Sequence, residues 1–391
     1  MNDQIEQSFT RLQQFLEAGP LDTRYKGYDP FDGLNSKLFD RSPLKRSRFA
    51  RLAWLQFNKK SPIDFRKLTG TKIGYNPQAL GLFLSTYCLL YNSDKKEYYL
   101  RIIKFLSDKL LESSTKGYSG HCWGYNFDWQ ARAFFQPKNT PMIVPTSFAV
   151  DGLLSSFDVL NESKYLDAAV SSADFVMKDL NRTYEDDLFA FSYSPIDQTV
   201  VYNASLLASK LLGRIYHITK DDSLKEEGQK SVDFCVKYQG KNGSWTYGSK
   251  PYHQWIDNFH SGYNLVCLKD FKDSANGNVS ETILERGMKF YLETFFTADG
   301  VSKYYHNKDY PLDINNPAQL IITLDQFGIL NDQNKLAESV LMWAINNMQN
   351  SKGYFYYQKK RFYKIRIPYM RWSQAWMFYA LTTYLIGDQE K

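Results

Sequence analysis

The sequence predicts an all-α protein, an (α/α)6 toroid in which helical hairpins form two concentric layers. An aromatic motif recurs along the chain, with spacings of 68, 54, 58 and 52 residues when it is aligned on Tyr125, Tyr193, Tyr247, Tyr305 and Tyr357. Two helical patterns joined by a short polar turn follow each motif. The first helix of each pair is the more apolar one. We therefore assign the apolar helices to an inner ring and the amphipathic helices to an outer ring.

The individual helices follow from apolar residues spaced three and four positions apart. Asn76 before Pro77 is a start signal, because Asn caps the first free N–H groups and Pro lacks one, and Asn316 before Pro317 repeats it. The turns "YNSDKKE", "NESK", "TKDDS", "SANGNVS" and "ILNDQNK" are short and polar, as helical hairpins require. We predict helices over residues 2–18, 41–58, 76–92, 95–113, 143–160, 162–181, 201–219, 222–239, 258–273, 279–297, 316–329, 332–349 and 370–387.

The two ends of the chain decide between a closed ring and an open solenoid. Five complete hairpins are flanked by further helices at both ends, and these can form a sixth. A solenoid would expose polar faces on its terminal repeats. The C-terminal helix "RWSQAWMFYALTTYLI" is instead among the most apolar, which favours closure. We expect one domain over residues 1–391, with residues 1–75 forming a less regular part that packs on the toroid.

Composition and charge exclude several function classes. The net charge is +6 and the basic residues are dispersed, so no nucleic acid is expected, although the run Tyr357–Trp372 can face an anionic ligand. No signal peptide, membrane-spanning stretch, nucleotide fingerprint or metal-binding spacing is present. We expect a cytoplasmic protein with four reduced cysteines and no cofactor or metal. An aromatic content of 16% indicates either a half-polar concave surface or codon bias from an AT-rich genome.

Four segments carry a resemblance to known proteins: "GYDPFDGLNS", "CWGYNFDWQARAFF", "SWTYGSKPYHQWIDNFHSGYNL" and "IPYMRWSQAWM". With the helical hairpins, they resemble the six-hairpin glycosidase-like superfamily and, more narrowly, the VpsJ-like bacterial proteins associated with polysaccharide biosynthesis. The resemblance implies an (α/α)6 barrel whose mouth binds a saccharide, and it makes other polysaccharide-biosynthesis proteins possible partners. Relatives include hydrolases, lyases and sugar epimerases, so the resemblance transfers no catalytic residue to this chain.

The loops before the inner helices carry the candidate substrate-binding residues. Several aromatic side chains around one mouth suit a saccharide, because sugar C–H faces stack on aromatic planes. Each one can equally be a core residue. The candidates are Trp123, Tyr125, Asn126, Trp129, Arg132, Trp245, Trp255, Tyr305 and Trp372.

Carboxylates in these loops suggest glycoside hydrolysis, which needs two of them across the scissile bond. Asp128 and Asp257 are flanked by aromatic residues whose desolvation would raise one pKa, and they form our first candidate pair. Asp313 is the next candidate for a carboxylate of this pair. The alternative for Asp257 is a structural role as an N-cap, because it directly precedes a helix. Hydrolysis is our first functional prediction.

His260 supports a different chemistry. It lies three residues after Asp257, so that the carboxylate can orient the imidazole if both lie at a helix start. With Asn126, Arg132, Lys303 or Arg371 to neutralise a carboxylate, this arrangement suits a uronate lyase or a sugar epimerase. A third alternative is a toroid without catalytic activity that binds a glycan or a partner protein.

Overall fold

The structure of the protein, a computed structural model, describes residues 2–131 and 134–389. The helices in these two ranges are α1 Asn2–Leu16, α2 Lys37–Asp40, α3 Arg48–Lys60, α4 Arg66–Thr69, α5 Pro77–Asp94, α6 Glu97–Ser113, α7 Ile143–Leu160, α8 Ser163–Asp174, α9 Tyr202–Thr219, α10 Asp222–Lys237, α11 Asn258–Ala275, α12 Glu281–Phe295, α13 Asn315–Gln326, α14 Asn334–Met348 and α15 Trp376–Gln389. Wider π-helical turns extend α8 over Phe175–Asp179 and precede α15 over Met370–Ala375.

Six helices form a closed inner ring. Each of α5, α7, α9, α11, α13 and α15 packs against the next one, and α15 packs against α5. Helices α6, α8, α10, α12 and α14 pack outside their inner partners, while α1 packs against α15 and α14. The first and last helices of the chain therefore form the sixth hairpin. The predicted all-α toroid is confirmed. The less regular part predicted over residues 1–75 spans only residues 17–75, because α1 packs as a regular helix of the ring; it contains the short helices α2 and α4 and the longer α3.

The predicted helix starts are correct at one Asn-Pro pair and wrong at the other. Asn76 caps α5, because its Oδ1 accepts the N–H of Gln78 at 3.1 Å. Helix α13 begins one residue before Asn316, at Asn315, whose N–H donates to Oδ1 of Asp313 at 3.0 Å. Asn316 is fully buried inside the helix and does not cap it.

Short antiparallel strands in the loops were not predicted. They form two hairpins and one three-stranded sheet, and the longest pair runs from Arg182 opposite Phe191 to Glu185 opposite Leu188. In the part of the chain that is described, the strands are β1 Trp129–Gln130, β2 Phe135–Gln136, β3 Arg182–Glu185, β4 Leu188–Phe191, β5 Leu312–Asp313, β6 Gln358–Lys359 and β7 Lys364–Ile365. They are too short to give an alternating pattern in the sequence.

Within the described ranges of the chain, one helix has the length and composition of a membrane span. It is α7, Ile143–Leu160, with 56% of its residues buried within the protein. Helix α7 belongs to the inner ring and packs between α5 and α9. An inner helix that is enclosed by other helices is expected to be apolar all round, so its composition follows from its place in the toroid.

Candidate active site

A cavity of about 440 Å³ opens at the end of the toroid where the inner helices begin. The first turns of α5, α7, α9 and α11 and the π-helical turn before α15 contribute to its wall. The adjoining loops and helix α3 complete it. The loops that carry the repeated aromatic motif therefore meet at one mouth, as the sequence predicts.

Aromatic side chains form much of the wall. Tyr247 and Trp255 stack with their ring centres 4.5 Å apart and their planes 15° from parallel. Such a flat, partly polar surface fits the face of a sugar ring. Five of the aromatic residues proposed from the sequence lie on the wall, namely Tyr125, Trp129, Trp255, Tyr305 and Trp372.

Two of the proposed tryptophans have structural roles instead. Nε1 of Trp123 donates to the carbonyl of Leu110 at 2.7 Å, and Nε1 of Trp245 donates to that of Cys235 at 3.0 Å. Both carbonyls lie in the last turn of an outer helix, where the usual partner four residues on is missing, although that of Cys235 also accepts the N–H of Tyr238 at 3.2 Å. Trp123 and Trp245 are buried away from the cavity, so the prediction that they bind substrate is not supported.

The two polar residues proposed with them are not on the described wall either. Asn126 accepts the side-chain amide of Asn76 at 3.2 Å through its Oδ1, and it lies outside the cavity. Arg132 lies outside the described residues.

Asp257 and His260 form a bonded pair at the start of α11. Oδ1 of Asp257 accepts the backbone N–H of His260 at 3.0 Å, so Asp257 is the N-cap of the helix. Its Oδ2 lies 2.7 Å from Nδ1 of His260 and accepts Nε1 of Trp255 at 2.8 Å. Asp257 therefore both caps the helix and orients the imidazole.

The tautomer of His260 follows from this geometry. The Asp257 carboxylate only accepts hydrogen bonds, so Nδ1 carries the proton of the neutral ring and Nε2 keeps its lone pair. The side chain of His260 is 18% exposed and lies on the cavity wall, whereas that of Asp257 is fully buried behind it. The pair thus leaves Nε2 as the ring nitrogen whose lone pair can accept a proton.

The proposed carboxylates do not face the cavity. Asp128 accepts the N–H of Lys138 at 2.7 Å. Asp313 accepts Nε1 of Trp372 at 2.9 Å and Nε2 of Gln358 at 2.5 Å, and burial raises its pKa. Neither they nor Asp257 are among the lining residues, and the described wall contains no Asp or Glu. This corrects the sequence prediction of a carboxylate pair across the mouth.

Arg371 lies on the wall as a paired charge. Its Nε and Nη2 donate to the two carboxylate oxygens of Asp29, at 2.6 and 2.9 Å. Its Nη1 donates to Oε1 of Gln78 at 3.1 Å, and the same oxygen accepts the hydroxyl of Tyr125 at 3.0 Å. With its oxygen occupied by two donors, Gln78 can offer a ligand only its amide N–H groups, one of which also interacts with Tyr263.

The sequence analysis did not identify several polar wall residues. Asn203, at the start of α9, is 2% exposed, and its Oδ1 has no hydrogen-bond partner in the described structure. His253 is a second imidazole on the wall, in the same loop as Trp255. The sequence signal for His253 was present, because the run Gly243–Leu265 holds two of the five histidines.

Three lysines also line the mouth, namely Lys59, Lys60 and Lys360. Burial lowers the pKa of Lys59 to about 8, and it also lowers the pKa of Lys360. Nζ of Lys59 lies 4.1 Å from the ring centre of Phe31, and Nζ of Lys360 donates to Oε1 of Gln358 at 2.6 Å. No carboxylate of the described residues lies within salt-bridge distance of either ammonium group. The mouth is therefore electropositive.

No group of three or more His, Cys, Asp or Glu side chains within residues 2–131 and 134–389 is arranged to hold a metal ion. The four cysteines are free and buried.

No protein-family model matches the chain, and no curated protein matches it significantly. Several solved structures do match the chain. Cellobiose 2-epimerase from Bacillus thermoamylovorans superposes with a TM-score of 0.67 at 14% identity, covering 99% of this chain and 100% of that one. An unsaturated glucuronyl hydrolase specific for heparin gives 0.63 at 10% identity, covering 100% and 99%. A GH76 α-mannanase from Bacteroides thetaiotaomicron gives 0.61 at 10% identity, covering 100% and 97%. At these identities the likeness shows that the chain shares their (α/α)6 toroid fold.

Proposed function

We propose that the protein is a saccharide-processing enzyme in which His260 transfers a proton in a sugar epimerase reaction. The single observation that carries the proposal is the Asp257–His260 pair on the wall of an aromatic cavity whose described lining contains no carboxylate. The similarity in fold to a cellobiose 2-epimerase and to two glycoside hydrolases supports a saccharide as the substrate. The resemblance to VpsJ-like proteins supports a place in a bacterial polysaccharide pathway.

The proposed step removes the proton from a carbon next to a sugar carbonyl. Nε2 of His260 accepts the proton, the electrons of the C–H bond form a C=C bond, and the carbonyl oxygen takes the negative charge. The buried carboxylate of Asp257 stabilises the imidazolium. An amide N–H of Gln78, whose side chain also hydrogen-bonds to Tyr263, can be donated to the enolate oxygen. Return of a proton to the opposite face of the enolate carbon gives the epimer. We assign this return to His253, the second imidazole on the wall.

Proton exchange with solvent tests the proposal. Reducing mono- and disaccharides incubated with the protein in D2O should gain deuterium at the carbon beside the carbonyl and form the epimer, as followed by NMR. The His260→Gln substitution should lower the rate by about 10²- to 10⁴-fold. Asp257→Asn should lower kcat and alter the pH profile, because its amide cannot stabilise the imidazolium.

The control is His217→Gln, which replaces an exposed histidine outside the cavity and should leave the rate unchanged. Undiminished exchange in His260→Gln would contradict the proposal. Release of new reducing ends from an oligosaccharide would instead support glycoside hydrolysis, which was our first prediction from the sequence. Saccharide binding without exchange or cleavage would favour the non-catalytic toroid.

A uronate lyase is the second candidate, and the electropositive mouth favours it. Lys59 and Lys360 are placed to attract the carboxylate of a uronic acid, and no described acidic residue opposes it on the wall. The lyase step begins with removal of the proton on the carbon beside the uronate carboxylate, and a C=C bond forms as the leaving sugar departs with its bonding electrons. With oligouronates as substrate, a lyase would form an unsaturated product, whereas an epimerase would form an epimer.

A further inference from the structure

We infer that residues 37–73, together with the tip of the β6–β7 hairpin, form a surface that docks on an anionic lipid membrane beside the cavity mouth. We call this region the mouth-side surface. Docking of this kind concerns where the protein works and not which reaction it catalyses. It goes beyond the proposed function and does not depend on it.

The first observation is charge. Residues 37–72 contain eleven Lys and Arg against two Asp, a formal net charge of +9, whereas the whole chain carries only +6. The remainder of the chain is therefore slightly acidic. Most of these cations are exposed, including Lys37, Lys45, Arg46, Lys67 and Lys72. Such a cluster is attracted to anionic headgroups within a Debye length of the membrane.

The second observation is the distribution of exposed apolar side chains. Among the described residues, ten Leu, Ile and Phe side chains are strongly exposed, and seven of them lie in residues 38–73. An eighth, Phe362, lies next to Tyr363, whose hydroxyl donates to the carbonyl of Lys60 at 3.2 Å. The eight side chains are Leu38, Leu44, Phe49, Phe57, Ile63, Leu68, Ile73 and Phe362.

The third observation is the amphipathic character of α3. Its outward face carries Phe49, Phe57 and Lys60, while Leu55 on the other side is buried. Phe49 is 82% exposed, and Leu68 of the neighbouring helix α4 is 84% exposed. A helix with apolar residues and lysines on a solvent-facing surface is typical of proteins that lie in the membrane interface.

The interleaving of the two residue types favours a membrane over a protein partner. Six of the eight exposed apolar residues have a basic neighbour in sequence, as in Lys37–Leu38, Arg48–Phe49, Lys67–Leu68 and Arg361–Phe362. Six of the eleven cations in residues 37–72 are lysines, in which protein–protein interfaces are depleted because burying an ammonium group is costly, whereas arginine is common there. At a membrane, the apolar side chains enter the acyl boundary while the ammonium groups stay among the phosphates.

The position of α3 links this surface to the cavity. Leu52, Leu55, Gln56, Lys59 and Lys60 of the same helix line the cavity mouth. Docking through the outward face of α3 would therefore bring the mouth close to the headgroups. That placement suits a saccharide that is carried on a lipid.

Vesicle flotation with the full chain tests the inference. We expect binding to vesicles of phosphatidylcholine with phosphatidylglycerol to exceed binding to phosphatidylcholine alone by on the order of tenfold or more, and to weaken as salt is added. The double substitution Phe49→Ser and Leu68→Ser should lower binding to the mixed vesicles severalfold. Both residues are exposed, so the melting temperature should be unchanged.

The matched control replaces two exposed apolar residues elsewhere, Ile196→Ser and Ile218→Ser, and should bind like the unsubstituted protein. Equal binding to both vesicle types would overturn the inference, as would undiminished binding of the Phe49 and Leu68 variant. Size-exclusion chromatography provides a further check. If the protein self-associates and this same variant is monomeric, a second copy and not a membrane covers the surface. If the protein bound an oligonucleotide but not the vesicles, the inference of membrane docking would also be overturned.

Discussion

At the scale of single residues, the most informative contact is the buried ion pair between Arg371 and Asp29. Arg371 is 3% exposed and Asp29 is 4% exposed, and two hydrogen bonds join them. Their numbers differ by 342, so this pair ties the start of the chain to its end. It holds a guanidinium group on the cavity wall without leaving a free charge there.

We predict that Asp29→Asn destabilises the protein by about 3–5 kcal/mol, because it leaves Arg371 buried without its counter-ion. Urea unfolding measures the change. Asp40→Asn, which removes the partner of Lys45 in an exposed pair at 3.1 Å, is the control and should cost about 0–1 kcal/mol. An equal effect of the two substitutions would show that the buried pair has no special role.

At the scale of elements, the inner ring depends on a close approach between α5 and α7. Gly81 of α5 faces the backbone of α7 so closely that a Cβ atom there would lie 2.2 Å from the carbonyl oxygen of Phe148. From the other side, a Cβ on Gly152 would lie 2.9 Å from the carbonyl oxygen of Gly81. These two glycines allow the helices to pack with their backbones in contact.

We predict that Gly81→Ala lowers the free energy of unfolding by about 1–3 kcal/mol, since the added methyl group forces the helices apart. The control is Gly387→Ala in α15, where the new Cβ would meet only the flexible end of Leu330, at 3.3 Å. Because Ala is favoured over Gly in a helix by about 1 kcal/mol, that variant should be neutral or more stable. Thermal unfolding of both variants measures the difference, and a stabilised Gly81→Ala would contradict the packing argument.

At the scale of the whole molecule, buried tyrosines govern the response to high pH. Burial raises the pKa of many of them above the ordinary value of about 10. It raises the pKa of Tyr125 to about 12. Others with a raised pKa are Tyr25, Tyr87, Tyr193, Tyr202, Tyr247, Tyr263, Tyr291, Tyr304, Tyr357, Tyr369 and Tyr379.

The sign of the pH effect follows from linkage. The unfolded chain loses these phenolic protons near pH 10, whereas the folded protein keeps them, so the stabilisation is complete below about pH 10 and is lost above it. We therefore predict that the free energy of unfolding falls steeply from about pH 10 upwards. Urea unfolding with tyrosinate absorbance at a series of pH values measures this. Tyrosines that titrate in the folded state at their ordinary pKa would contradict the prediction.

The sequence predicts the fold more completely than it predicts the site. Apolar periodicity is a local property, so it placed most of the long helices within a few residues and identified the apolar C-terminal helix that closes the ring. The helix predicted over 41–58 is an exception, because it begins only at Arg48, after a separate 3-10 turn over Pro43–Arg46. The short β-strands were missed because runs of two to four residues give no alternating pattern. The start of α13 was missed because Asp313, which Trp372 and Gln358 hold in place, binds the N–H of Asn315. The recurring aromatic loops correctly indicated a shared mouth, since their position before each inner helix follows from the repeat.

Only the tertiary structure decided which loop side chains face the cavity. Trp123 and Trp129 belong to the same motif, yet the first satisfies a helix carbonyl and the second lines the wall. The sequence left open whether Asp257 caps the helix or acts in the site. In the structure one carboxylate oxygen caps α11 and the other contacts the imidazole of His260. The physical reason is that a side chain's direction depends on partners far away in sequence. Local spacing alone could place these residues at the mouth, but the packed toroid determined which of them a ligand can touch.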